Sequence, residues 1–175
     1  CSSDLYKQAR VFKYSINPIL VEKDVAIHFR SEIDELSRDW TWQELRGEVL
    51  ALQRVLRDDF RILAGDRIAA YAPNCPQVLA FMLAGASLGA TFTAASPDFG
   101  PSAVIDRFSQ TQPRILLACN GVYYNGRVHD HRDKVGEVRA ACASIEAVIE
   151  LKYIRDGSDQ GGFDYDTLVK REPPS

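Results

Sequence analysis

The sequence predicts an α/β fold: a three-layer domain with a mainly parallel sheet and helices flanking it. Two observations carry this. From Trp42 onward, helix-like and strand-like segments alternate as α, β, α, β, α, β, α, β. The strand-like segments are short and apolar on both faces, as in sheets covered by helices on each side and joined by right-handed crossovers. The connections between them run to only a few residues, which leaves little room for a second domain.

The elements follow in order. Val25, Ile27 and Phe29 alternate with Ala26, His28 and Arg30, the pattern of a half-buried strand with His28 on its polar side. After the short aromatic segment Trp40-Thr41-Trp42, Thr41 and Glu44 form a T-x-x-E capping box that satisfies two backbone amides and starts a helix. Trp42, Leu45, Val49, Leu52, Leu56 and Phe60 continue as one apolar stripe, which Gly65 closes. Ile68-Ala69-Ala70-Tyr71-Ala72 is a strand ended by Pro73-Asn74. Asn74 or Cys75 then caps a helix whose early Pro76 has no amide to leave unpaired. That helix is apolar on nearly every side and is expected to be buried. Residues 90–95 read as another buried strand, and Ser102 as the cap of a helix carrying Val104, Ile105 and Phe108. Residues 115–119 form a strand, a loop with Asn120-Gly121 and Asn125-Gly126 follows, and a helix carries Val135, Val138 and Cys142. Residues 147–151 are the last strand. Beyond the loop at 157–162, residues 163–169 read as one more turn of helix.

Composition fits such a domain. The chain has 175 residues, 46% of them apolar and 26% charged, which excludes disorder as the main state. At roughly 150 residues per domain it makes one domain. The net charge of −3 argues against nucleic acid or an anionic membrane as partner. No run of about 18 apolar residues exists to span a bilayer. Cys1, Cys75, Cys119 and Cys142 show no metal-binding or disulfide spacing, so a reduced, cytoplasmic setting is expected. The chain opens with Cys1-Ser2-Ser3 rather than Met and closes on Arg171-Glu172-Pro173-Pro174-Ser175. A piece of something longer is the first reading, and a lipidated amino-terminal cysteine the alternative. We expect an extension over 1–19, an α/β subdomain over 20–155, and a loop and linker over 156–175.

The sequence carries no complete catalytic site. Neither a phosphate-binding G-x-x-x-x-G-K-[ST] nor a dinucleotide G-x-G-x-x-G is present. Gly85 and Gly89 read as close packing of a buried helix on the sheet. Asp98-Phe99-Gly100 lacks the other protein-kinase segments that would give it meaning. His129, Asp130, His131 and Asp133 concentrate metal-ligand types, but side chains two apart at a helix start diverge and acids are favoured there anyway, so a solvated helix start is expected and no metal. No serine has nucleophile-elbow context, and no catalytic residue is assigned. Residues 123–127 are the most ligand-like loop, because they follow the carboxyl end of a parallel strand and bring an arginine and free amides.

Read together, five stretches resemble one family. Residues 65–77, beginning Gly65-Asp66-Arg67-Ile68 and ending Pro73-Asn74-Cys75-Pro76-Gln77, are similar to a segment of the adenylate-forming acyl-CoA synthetases, as are Ala84-Gly85-Ala86-Ser87-Leu88-Gly89-Ala90 and Thr41-Trp42-Gln43-Glu44-Leu45. Ser96-Pro97-Asp98-Phe99-Gly100 and Tyr124-Asn125-Gly126-Arg127-Val128-His129-Asp130 narrow the resemblance to the acetoacetyl-CoA synthetase branch. The resemblance implies the first α/β subdomain of the large amino-terminal domain of such enzymes. It implies a ligase that converts acetoacetate, CoA and ATP, with Mg2+, to acetoacetyl-CoA, AMP and pyrophosphate through an acyl-adenylate. The family's phosphate loop, adenine motif, hinge acid and adenylation lysine do not occur in these residues, so the chain alone is expected to be inactive and its ATP site to lie outside it. Related acetyl-CoA synthetases bind CoA phosphates with two arginines in the matching loop. Arg127 matches the second and Tyr123 stands near the first, so the resemblance implies a CoA contact at Asn125, Gly126 and Arg127. A non-catalytic ligand-binding or interaction module, and a ligase for another short-chain acid, stay open. Apolar surface left bare by missing neighbours would favour self-association.

Overall fold

A computed structural model describes residues 23–32, 34–155 and 161–171. Among them, strand β1 (Val25–Phe29) and strand β2 (Arg38–Thr41) form an antiparallel hairpin. Buried Trp40 fastens it to the core, with the Arg38 guanidinium 4.4 Å over its ring. The expected alternation in β1 fails at its start. The register shifts between Val25 and Ile27, so Val25 is exposed while Ala26, Ile27 and Phe29 pack inward.

Helix α1 (Trp42–Arg54) begins with the capping box read from the sequence: the Glu44 amide donates to Thr41 Oγ1 at 3.2 Å, and the Thr41 amide to Glu44 Oε2 at 2.7 Å. The stripe does not continue as regular α-helix to Phe60. A π turn over Val55–Asp59 widens the last turn and buries the neighbours Val55 and Leu56 together.

Strands β3 (Arg67–Tyr71), β4 (Thr91–Ala95) and β5 (Ile115–Cys119) alternate with helices α2 (Pro76–Ser87) and α3 (Pro101–Thr111). Strands β6 (Gly121–Tyr124) and β7 (Arg127–Asp130) form a second antiparallel hairpin. Helix α4 (Arg132–Ala141), strand β8 (Ala147–Leu151), strand β9 (Phe163–Asp164) and helix α5 (Tyr165–Lys170) complete the chain. The main sheet has five strands in the order β4-β3-β5-β8-β9, and every neighbouring pair is parallel.

Alternation in the central strands divides the core. Ile68, Ala70, Ile115, Leu117 and Ile149 pack with α1, α2 and α5 on one face. Ala69, Tyr71, Leu116, Ala118 and Val148 pack with α3 and α4 on the other. These are the three expected layers. At the amino end of the sheet, Arg114 donates to Asp66 at 2.7 Å and to both carboxylate oxygens of Glu146 at 2.7 and 2.8 Å. Gly85 and Gly89 serve packing: a Cβ on Gly85 would stand 2.2 Å from Ile68 Cδ1, and Gly89, at φ +80°, lies against Ala64.

Several details depart from the sequence reading. The strand after α2 begins at Thr91 and is an edge strand, with Thr91 and Ala94 exposed rather than buried. Ser102 is not a cap, because Gly100 takes that position and Pro101 the first turn. Cys75 is the cap residue of α2 by position only, without a side-chain bond. Residues 163–169, read as one more turn of helix, hold the short strand β9 before helix α5. There the Asp164 side chain caps α5, accepting from the Thr167 amide at 2.8 Å. The expected extension over 1–19 lies outside the described residues, as does Cys1. Cys75, Cys119 and Cys142 are free, buried thiols.

Candidate functional site

The strand order creates a topological switch point. The connection leaving β3 leads to β4 on one side, whereas that leaving β5 leads to β8 on the other. In open parallel sheets the carboxyl ends at such a divergence form a crevice. A cleft of about 250 Å³ lies there. Pro73 and Asn74 beyond β3, Ser96, Pro97 and Asp98 beyond β4, and Val122, Tyr123 and Tyr124 of β6 line it.

The stretch read as a ligand-like loop is the β6–β7 hairpin. Asn125 (φ +52°) and Gly126 (φ +67°) both take the left-handed conformation of a tight two-residue turn, the reason for Asn-Gly at this spot. Arg127 opens β7 opposite Tyr124 and is exposed. The turn therefore brings Asn125, Gly126 and Arg127 together beside the cleft, though the cleft wall itself is Val122, Tyr123 and Tyr124. The Gly126 amide donates to Glu32 Oε2 at 3.3 Å. The Asn-Gly dipeptide flanked by alternating residues was the available signal for this hairpin; Tyr123 fell within the ligand-like stretch, whereas no local pattern marked Asn74 and Asp98 as cleft residues.

Two buried polar side chains flank the hairpin in sequence, one before β6 and one after β7. Asn120, fully buried, donates from Nδ2 to the Ile154 carbonyl at 2.9 Å and accepts from the amides of Tyr153 and Ile154 at 2.8 and 2.9 Å. His131 is also buried, which corrects the expectation of a solvated helix start. Its ring stacks on Tyr71 with centroids 6.2 Å apart, and its amide donates to the Asn120 carbonyl. Burial, then the nearby charges of Lys134 and His129, push its pKa down to about 4, so the imidazole is neutral at pH 7. His129 stands exposed on β7, so the two imidazoles diverge. Asp130 is bound by Arg132, whose Nε lies 2.8 Å from Oδ2, and this holds its carboxyl below the usual range. Asp98 accepts from Ser96 Oγ at 3.0 Å within its turn.

The thiols nearby are not activated. Burial pushes the Cys75 and Cys119 thiols up to about 11 and about 12, far from a reactive thiolate. Among the described residues no group of three His, Cys, Asp or Glu side chains is placed to hold a metal, and no helix is long and apolar enough to cross a membrane. The cleft wall carries no lysine. The cleft lining carries two aromatic side chains, Tyr123 and Tyr124, and one carboxylate, Asp98, while the exposed Arg127 lies beside it on β7.

A family model for the AMP-binding enzyme matches residues 22–172. The chain belongs to that family. Its relatives include the acetoacetyl-coenzyme A synthetase of Rhizobium meliloti (strain 1021), 47% identical over 122 residues, which are 70% of this chain and 18% of that protein. The acetoacetyl-CoA synthetase of Xenopus tropicalis is 39% identical over 130 residues, 74% of this chain and 19% of that protein. The malonamoyl-CoA synthetase vrtB of Penicillium aethiopicum is 42% identical over 132 residues, 75% of this chain and 18% of that protein. The solved acetoacetyl-CoA synthetase from Streptomyces lividans superposes with a TM-score of 0.82 at 32% identity, covering 97% of this chain and 25% of that one. The chain thus spans about a fifth of the length of these curated relatives. Family membership agrees with the resemblance read from residues 41–130, and the superposition agrees with the expected α/β fold.

Proposed function

We propose that this chain is the first α/β subdomain of an ATP-dependent acetoacetate–CoA ligase. The acetoacetate carboxylate attacks the α-phosphorus of ATP, pyrophosphate leaves, and an acyl-adenylate forms. The CoA sulfur then attacks that carbonyl, a C–S bond forms and AMP departs. A carboxylate is a poor electrophile, and AMP supplies its leaving group. The observation that carries the reading is the agreement in sequence and fold with acetoacetyl-CoA synthetases over most of the chain.

Within this scheme the residues at hand bind rather than react. The switch-point cleft and Arg127 receive the phosphate-bearing end of CoA, with Asn125 and Gly126 shaping the turn that presents Arg127. ATP and its Mg2+ are held by sequence outside this chain, so residues 1–175 alone perform no adenylation. Buried free thiols at Cys75, Cys119 and Cys142 support a cytoplasmic setting, and the separated subdomain is expected to self-associate through apolar surface.

The similarity to a malonamoyl-CoA synthetase supports a second reading, a ligase for another short acid with the same subdomain. Replacing Arg127 with Ala in the complete ligase tests the CoA contact. At about 1 kcal/mol for an exposed charge-assisted contact, KM for CoA is expected to rise about fivefold, with KM for ATP and acid unchanged. An unaltered KM for CoA would sink the assignment.

A further inference from the structure

Tyr71 is the last residue of β3 and is 1% exposed. Its hydroxyl donates to the Phe99 carbonyl at 2.7 Å. Phe99 closes the turn whose residues Ser96, Pro97 and Asp98 form one wall of the cleft. The bonds from the Phe99 amide to the Ser96 carbonyl, at 3.0 Å, and from Ser96 Oγ to Asp98 close that turn on itself. The Phe99 side chain is 45% exposed, so burial does little to anchor the turn at this point. The Tyr71 hydroxyl ties it to the central strand.

The same side chain reaches toward the opposite wall. Its ring stacks on His131, and the His131 amide donates at 2.9 Å to the carbonyl of Asn120, the residue before β6. Asn120 is itself locked to residues 153 and 154 by three side-chain bonds. One chain of contacts therefore runs from the β4 turn through Tyr71 and His131 to the root of the β6–β7 hairpin. A cleft of about 250 Å³ is small enough that a shift of either wall alters what fits.

We propose that Tyr71 is a positioning residue that sets the separation of the two cleft walls, and thereby the affinity for the phosphate-bearing end of CoA. This rests on the reading of the cleft as part of the CoA site. A hydroxyl acting through a wall affects only a ligand that occupies the cleft. It leaves alone both the adenylation half-reaction and any acceptor lacking the nucleotide end.

The test compares Tyr71→Phe and Arg127→Ala with the unmodified complete ligase, using CoA and then pantetheine, a thiol without the nucleotide or its phosphates, as acceptor. Tyr71→Phe keeps the ring and its stack, and the melting midpoint is recorded beside the kinetics. The expected result is a KM for CoA raised about three- to tenfold, the scale of one lost hydrogen bond. kcat, KM for ATP and acid, and the rate with pantetheine should stay within about twofold, the spread of a ΔΔG of a few tenths of a kcal/mol. A lower melting midpoint with all kinetic parameters unchanged, or an equal loss with CoA and pantetheine, marks a purely structural role and overturns the proposal. An unchanged KM for CoA in Tyr71→Phe beside a raised one in Arg127→Ala overturns the positioning role and spares the site. Unchanged values in both variants overturn the site, and the role with it.

Discussion

Replacing Gly85 with Ala probes the contact that sets α2 on the sheet. The added Cβ would stand 2.2 Å from Ile68 Cδ1 and 3.2 Å from Cγ1, where carbons prefer about 3.5–4.0 Å. The Ile68 methyl must therefore move by more than about 1 Å, in a core where Ile68 has no exposure. Overpacking of this kind costs about 1–3 kcal/mol, and the gain from Gly to Ala inside a helix offsets about 1 kcal/mol of it. The expected net loss is about 1 kcal/mol, or roughly 2–4 °C in Tm for a chain this long. Ile68→Val removes the clashing methyl and alone costs about 0.5–1.5 kcal/mol, but added to Gly85→Ala it should cost nothing or restore stability. Denaturant unfolding followed by Trp40 fluorescence gives the cycle, with an expected coupling of about 1–2 kcal/mol. A Gly85→Ala chain more stable than the parent, with strictly additive effects, would refute the close approach of α2 to β3.

Other perturbations have equally definite outcomes. Thr41→Ala removes the capping box of α1 and is expected to cost about 1 kcal/mol in the same unfolding assay, with Thr41→Ser restoring most of it. Gly89→Ala places a side chain at φ +80° and 2.9 Å from Ala64 Cβ, so it should destabilise more than Gly85→Ala, where φ is ordinary. His131 gives a pH signature. The unfolded chain takes up a proton there below about pH 6.5, whereas the folded chain resists until about 4. The stability His131 contributes is therefore complete above pH 6.5 and is lost as pH falls through about 4, and His131→Phe should flatten that stretch of a Tm–pH curve. Asp164 acts lower on the scale. The bonds from Lys152 and Thr167 hold its pKa at about 2, so its contribution is present above about pH 3.9 and lost as pH falls through 2. Asp164→Asn should remove that acid limb.

The layers were legible because the central strands carry continuous apolar runs such as Ile115-Leu116-Leu117-Ala118-Cys119, which only a doubly covered sheet can bury. The start of α1 was legible because a capping box is a local device. Edge position was not, since Ala90 to Ala95 reads as apolar whether or not a neighbour lies beyond it, and only the strand order exposes Thr91 and Ala94. The π turn escaped for a related reason: Val55 and Leu56 look like one stripe residue and its neighbour until tertiary packing buries both. At the site, Asn125, Gly126 and Arg127 stood out through turn chemistry and family resemblance. The cleft they adjoin is assembled from three strand ends some 25 residues apart in sequence, as the switch-point rule leads one to expect but no local pattern announces. His131 was misread because a histidine beside acids at a helix start looks solvated. Its burial depends on Tyr71, sixty residues earlier in the chain.

The most direct measurement of the central claim is AMP formation from ATP in the presence of CoA and acetoacetate, by the complete ligase and by residues 1–175 alone. The proposed function predicts acetoacetate-dependent AMP release from the complete protein and none from residues 1–175. Turnover by residues 1–175, or a complete protein that leaves acetoacetate untouched while converting malonamate, would contradict it.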